Sequence, residues 1–496
     1  MKLMMNKKYI TLLFLMLIAM SCEDFLEKYP LDTVNTENFY KTAEDAVAAI
    51  NAAYQPLQRP KLHNMRMWTT DIIAGNSEVG ANPVEANDGI ETKDQANFIT
   101  TTDNRGVLDL YQGPAPGILY ANLVLQKVPD IAMDEALKNR ILGEAKFLRA
   151  YYYFVLVRFF GDVPLILTPQ TPGDDLRPAR TPKAEVYAQI IADLEEAMAQ
   201  LPQREEYATA DVGRASKGSA AGMLAKVYLT LGNWEKTVEL CNQVATLGYA
   251  LNENYADNFN PETENSIESL FEVQYMNPVN NFWDDANQSS WTTNFMGPRD
   301  SPLTAVGWGW NQPTQEFVDA YEAGDLRKDV TIFYEGGPQF DGKDYKASMS
   351  YVTGYGVRKF VLPANYVPTG SSGSPLNWPV LRYADVLLMK AEALSELGRT
   401  TEAEAPLNEV RARAGLDAVS GLSKDEFREV VLHERRMELA FEGHMWFDLI
   451  RVQDGAYGLA FLHSIGRTNA TEKHLLFPIP QAERDVNPNL SQNPGY

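Results

Sequence analysis

From Leu381 to Leu416, apolar positions recur every three or four residues in two runs separated by a glycine. Val386, Leu387, Leu388, Ala391, Leu394 and Leu397 follow helical spacing, and Gly398 stands where a helix stop needs a residue that tolerates positive φ. Ala403, Leu407, Val410 and Ala414 repeat the period before Gly415. A glycine turn with a small residue five positions on is the helical-hairpin pattern of a tetratricopeptide repeat, because the small residue lets two helix backbones approach closely. Ala-Leu-Glu-rich hairpins also occur in ordinary helical proteins, so this pattern says nothing of a ligand.

A second hairpin is expected at Ser216–Leu231 and Trp234–Leu247, with Gly232 and Thr237 in the places of Gly398 and Ala403. The two hairpins lie far apart in the chain, which implies a solenoid interrupted by insertions rather than one continuous array. Further helices are expected at Glu44–Leu57 (Ala46, Ala49, Ile50 and Ala53 inward), Gly117–Val128, Ala136–Phe160 and Thr181–Leu201, the last with Thr181 as its cap. Ser423–Arg451 reads as a long helix with a break at Gly443. Between 59 and 113 the periodicity fades. A folded loop region is expected there, since Trp68, Ile72, Ile73, Phe98 and Ile99 need burial. From 248 to 379 Gly, Pro, Asn, Trp and Tyr rise, and Ser269–Tyr275 alternates like a strand. Leu475–Pro480 reads as extended.

The first 21 residues have a Lys-bearing head and an apolar run, Ile10–Met20, too short to span a bilayer but suited to a secretory signal. Ser21-Cys22 then resembles a bacterial lipoprotein processing site, although Ala19 stands where such signals usually have Leu. The expectation is that residues 1–21 are removed, that Cys22 carries acyl chains, and that 22–42 form a tether. Residues 43–496 form one domain: a helical scaffold (43–247 and 380–451), a loop-rich ligand-binding region (248–379) and an extended tail (452–496).

Composition narrows the function. A formal net charge of −22 disfavours nucleic acid, whose phosphates call for clustered Lys and Arg. Two cysteines, Cys22 and Cys241, leave no disulfide scaffold or cysteine-built metal site, and Cys241 reads as a small buried residue. His433-Glu434 lacks the second His of a zinc-binding helix, and no phosphate loop, nucleophile elbow or dinucleotide fingerprint is present. Asp284-Asp285 is poor support for glycosidase chemistry, which depends on carboxylate separation in space. No cofactor and no metal are expected. Glu434, Arg435, Arg436, Glu438 and Glu442 read as exposed helical ion pairs.

Six segments in order carry a family resemblance: Cys22–Glu27, Gly143–Leu165 (GEAKFLRAYYYFVLVRFFGDVPL), Gln312–Gln315 with Asp325–Arg327, Leu381–Leu394 (LRYADVLLMKAEAL), His433–Arg451 (HERRMELAFEGHMWFDLIR) and Phe477–Tyr496. Together they resemble the SusD/RagB family of outer-membrane nutrient-binding lipoproteins. The resemblance implies a mainly α fold of about four tetratricopeptide-like hairpins, interrupted by a loop-rich insertion with short strands. It implies a non-enzymatic receptor, lipid-anchored at the cell surface in the outer membrane, that passes oligosaccharide to a SusC-like, TonB-dependent transporter barrel. A peptide-capturing receptor of the same family is the alternative, and a glycan-degrading enzyme a more remote one.

Sugar capture calls for flat aromatic faces beside amides, carboxylates or Arg. The stretch Tyr275–Trp310 supplies these, and Trp283, Trp291, Asn281, Asp284, Asn287 and Tyr275 are the candidate ligand residues. Trp68 with Arg66 and Asp71 forms a second candidate group. Trp308, Trp310 and Trp446 are assigned to the core.

Overall fold

The computed structural model describes residues 39–80, 89–171, 173–277, 287–366 and 373–496. Its frame is a run of helices: α1 (Ala43–Tyr54), α2 (Ala115–Lys127), α3 (Glu135–Phe160), α4 (Lys183–Gln200), α5 (Lys217–Thr230), α6 (Trp234–Ala245), α7 (Tyr383–Glu396) and α8 (Thr400–Arg413). Each packs on the next in chain order, and α9 (Lys424–Glu438) packs back on α7. Gly232 and Gly398 turn the last two hairpins at φ of 70° and 75°, the conformation their positions called for. All four inward residues expected of α1 are buried.

The interruption between the two hairpins exists in sequence only, because α6 packs directly on α7. A two-stranded antiparallel ribbon makes this possible. β1 (Ser269–Val273) pairs with β2 (Trp378–Arg382), in the register Ser269↔Arg382 to Val273↔Trp378, and every residue of both is buried. The first strand lies near the start of the insertion and the second leads straight into α7. Pairing them returns the chain to the solenoid where it left.

Several local expectations are corrected. The 59–113 region contains short helices at Thr70–Ile73, Ile90–Ala96 and Arg105–Gln112. They are too short to show a period; Asn104 Oδ1 starts the last by accepting from the Val107 N–H at 3.1 Å. Ile99 is 55% exposed, whereas Trp68, Ile72 and Ile73 are sealed. Thr181 does not cap α4: it pairs with Val163, and Asp162 Oδ1 accepts from the Lys183 N–H at 2.7 Å instead. The tail is not extended throughout, since Ala456–Ser464 and Gln481–Val486 are helical. Its extended part is strapped to the end of α3. The Phe477 N–H donates to the Phe159 carbonyl at 2.7 Å, and Asn493 Nδ2 donates to the Phe160 carbonyl at 3.0 Å, satisfying acceptors that a helix end leaves open.

Of the charged run on α9 and the turn after it, Glu434, Arg435, Glu438 and Glu442 are buried rather than exposed, while Arg436 is half-buried and pairs with Glu316 as a surface pair would. Glu438 accepts from Arg382 (2.9 Å), Arg413 (2.6 Å) and Arg327 (3.2 Å). Glu442 accepts from Arg382 and, at 2.5 Å, from Lys359. Glu434 takes Arg327 and Arg411. Arg327 and Lys359 come from the insertion, Arg382 and Arg413 from the solenoid, so this network rivets one to the other. Buried charge is tolerated only when paired this completely. Ion-paired helical residues were legible in sequence, but their depth was not. The expected break near Gly443 is present, α9 ending at Glu438 and a further helix beginning at Met445.

Candidate functional site

A cleft of about 990 Å³ opens between the 59–66 segment, the helix Arg105–Gln112, the N-terminus of α2 and Trp291. Its walls include Arg59, Lys61, Met65, Arg66, Glu91, Arg105, Asp109, Leu119 and Tyr120. Met65, Leu119, Tyr120 and the edge of Trp291 provide apolar surface; guanidinium, ammonium and carboxylate groups alternate with it. That mixture is the chemistry of a small-molecule site with fixed polar contacts.

Trp291 reaches the cleft because Asn64 holds it there. Asn64 Oδ1 accepts from the Trp291 N–H at 2.6 Å, and Asn64 Nδ2 donates to the Ser289 carbonyl at 2.9 Å. Behind it Phe295 acts as a hub: Trp68, Trp291, Trp308 and Trp310 all place their rings 4.8–6.0 Å from the Phe295 ring. Trp291 is therefore one member of an aromatic cluster, 5% exposed, stacked on Phe295 and presenting little more than an edge to the cleft.

Arg66 lies across the cleft floor. Its Nε and Nη2 donate to Asp109 Oδ2 at 3.0 and 2.7 Å, and it reaches Glu91 at 3.4 Å. Two donors of the guanidinium converge on the one carboxylate oxygen, and this fixes the group's orientation.

Of the sequence candidates, the fold brings Arg66 and Trp291 together across one cleft. It does not bring Trp68 there. Trp68 is fully buried beneath the floor, its Nε1 donating to the Asn64 carbonyl at 3.3 Å, and no ligand can reach its face. Asp71 is also internal: it accepts from the Phe441 and Gly443 N–H groups and from Asn76, clamping the turn after α9, and burial pushes its carboxyl up to about 6. Tyr275 and Asn287 are buried outside the cleft lining. The Tyr275 N–H donates to Asn377, and Asn287 Oδ1 accepts from the Ser289 N–H and hydroxyl, shaping the turn that leads to Trp291. Asn281, Trp283 and Asp284 lie outside the described residues, as does Cys22. Trp446 and Cys241 are core, as read from the sequence.

The residues that reading missed are Arg59, Lys61, Glu91, Arg105, Asp109 and Tyr120. One signal was available: Arg59, Lys61 and Arg66 crowd together in a chain otherwise rich in acid. Among the described residues, no group of three His, Cys, Asp or Glu side chains could hold a metal ion, and no helix is long and apolar enough to cross a membrane.

Comparison with known proteins follows the same outline. A family model described as "SusD family" matches residues 267–496, and one described as "Starch-binding associating with outer membrane" matches 24–229. "SusD-like protein P2" of Formosa agariphila is 30% identical over 99% of this chain and 100% of its own length. A solved laminarin-binding SusD-like protein is 30% identical and superposes with a TM-score of 0.78, covering 92% of this chain and 100% of that one. A SusD superfamily protein from Parabacteroides distasonis, also 30% identical, gives a TM-score of 0.76 over 94% of this chain and 100% of its own. Likeness of this extent spans both the helical scaffold and the insertion.

Proposed function

The chain belongs to the SusD family, and from that premise we propose that it is a surface lipoprotein that captures oligosaccharide in the Arg66–Trp291 cleft. The captured glycan passes to a SusC-like, TonB-dependent transporter barrel in the outer membrane, and Cys22 carries the lipid that keeps the protein there. The protein acts as a receptor and not as an enzyme.

The cleft carries the reading. It is large enough for several sugar units and places Tyr120, Leu119 and the Trp291 edge beside an oriented guanidinium and two carboxylates. Sugar rings present apolar faces and a girdle of hydroxyls, and this wall answers both. A laminarin-binding protein of the same fold at 30% identity supports a glycan as the ligand class. Trp291 is tethered by Asn64 and stacked on Phe295, which limits the freedom of that wall and so lowers the cost of binding.

The test is a glycan array set against a peptide library with purified protein, followed by product analysis of any glycan retained. Retention without shortening is expected. Shortened product would replace the receptor with an enzyme, and retention of peptides alone would move the ligand to that class.

A further inference from the structure

We infer that the glycan taken by this cleft is anionic, its sugars bearing carboxylate or sulfate groups; the inference rests on reading the cleft as the glycan site. The protein as a whole carries −22, yet among the described residues the cleft lining sets four cations, Arg59, Lys61, Arg66 and Arg105, against two carboxylates, Glu91 and Asp109. Both carboxylates are spent on Arg66. Lys61 reaches Asp109 only at 4.0 Å and donates instead to the neutral Gln112 Oε1 at 2.6 Å. Arg59 Nε donates to the neutral Gln55 Oε1 at 2.9 Å. Arg105 is exposed and has neither hydrogen bond nor ion pair among the described residues.

Among the described residues outside the cleft, some exposed cations are paired and others, such as Lys127 and Lys183, are not; the cleft is set apart by gathering such cations around one space. Lys236, for example, is paired with Glu239 at 2.8 Å, and Arg399 donates to Glu402 at 2.7 Å, each partner three residues on in the chain. In an acid-rich sequence, cations left with neutral partners or none, and gathered around one cavity, make a local positive field. The N-terminus of α2 adds to it. Ala115 and Pro116 line the cleft, and no side chain caps that helix end, so its partial positive charge faces the same space.

A neutral sugar would meet these groups with hydroxyls alone. A carboxylate or sulfate ester offers two or more oxygens to the planar fork of a guanidinium, the stronger and more specific pairing. The chain's overall negative charge does not prevent this. Charges more than about 8 Å away are largely screened at physiological salt, so the cations lining the cavity decide.

The experiment measures binding of hexasaccharides by calorimetry at low and high salt, beside an array holding both neutral and anionic glycans. Laminarihexaose serves as the neutral probe, a hexagalacturonate as the carboxylate probe and a carrageenan hexasaccharide as the sulfate probe. Proteins are the wild type, Arg105→Ala, Arg105→Lys and Lys61→Ala; both positions are exposed, and a thermal melt checks that each variant folds. Anionic glycans should be retained in preference to neutral ones, and affinity should fall as salt rises. Arg105→Ala should cost about tenfold or more, the scale of one hydrogen bond to a charged group, with Arg105→Lys recovering part of it. The carboxylate and sulfate arms tell the two anions apart. Retention of neutral glycans alone, or equally with anionic ones, overturns the inference while leaving the cleft as a glycan site. So does anionic binding unmoved by both alanine variants. Retention of no glycan at all overturns the underlying reading as well.

Discussion

Asn64 and Trp291, 227 residues apart in sequence, are joined by a 2.6 Å hydrogen bond from the Trp291 N–H to Asn64 Oδ1. The same Asn64 amide donates to Ser289, so one buried side chain holds the turn that carries the cleft indole. Asn64→Ala should strand a buried N–H and a buried carbonyl, costing about 1–3 kcal/mol. It should also weaken glycan binding by more than the loss of folded protein accounts for. Denaturant unfolding with calorimetric binding measures both, and unchanged affinity would show that Trp291 does not need this tether.

Trp291→Ala should lower stability as well as affinity. The indole is stacked on Phe295 and almost wholly covered, and removing so large a ring from a packed cluster costs about 3–5 kcal/mol. Trp68→Ala should cost a similar amount while leaving the affinity of the folded fraction close to wild type. If Trp68→Ala proved the more damaging to binding, the cleft wall would have been assigned to the wrong indole.

Lys359→Met should destabilise the protein by about 3 kcal/mol, the usual consequence of removing one partner from a buried charge network. Because Lys359 sits in the insertion and Glu442 follows α9, the insertion should become more sensitive to limited proteolysis while the solenoid stays protected. Uniform cleavage of both would argue that they unfold as one unit.

Two buried histidines work against stability on acidification. Burial, then the neighbouring Lys226 charge, pushes the His444 imidazole down to about 3, and burial with Arg158 does the same to His63. An unfolded histidine takes its proton near pH 6.5. Between there and pH 3 the unfolded chain therefore binds more protons than the native one, and each histidine removes up to about 1.4 kcal/mol per pH unit. Asp71 opposes this. Its carboxyl is raised to about 6, so the native state binds the extra proton between its unfolded value and 6, and that contribution is lost as pH rises through 6. Glu264, raised to about 8 by burial, opposes the histidines in the same way, so the histidine contribution is isolated as the difference between wild type and a histidine variant. Urea unfolding of wild type and His444→Gln across this range should show the variant more stable relative to wild type as pH falls from 6.5 to 3.

If Cys22 carries the proposed lipid, Cys22→Ala should release the protein from membranes when it is expressed without a SusC-like transporter. Unchanged fractionation with membranes would refute the lipid anchor.

Most of the scaffold was legible in sequence because helix periodicity is a local property. Ala46, Ala49, Ile50 and Ala53, the two glycine-turned hairpins and the break near Gly443 each declare themselves within a few residues. The family segments extended that legibility along the whole chain. What could not be read locally was depth and long-range pairing. Glu434, Glu438 and Glu442 have the spacing of a solvated helix face, and only their partners from Arg327, Lys359, Arg382 and Arg413 place them inside. Trp68 and Trp291 look alike as residues in polar, loop-like stretches; packing around Phe295 seals one and brings the edge of the other to a cavity. Arg59, Lys61 and Arg105 become one positive wall only when the 59–66 segment and the helix at Arg105–Gln112 fold against each other. Backbone periodicity, set by neighbours three or four residues away, was thus decided by the sequence itself. Burial and charge balance are sums over residues tens to hundreds of positions apart, and those only the tertiary structure could decide.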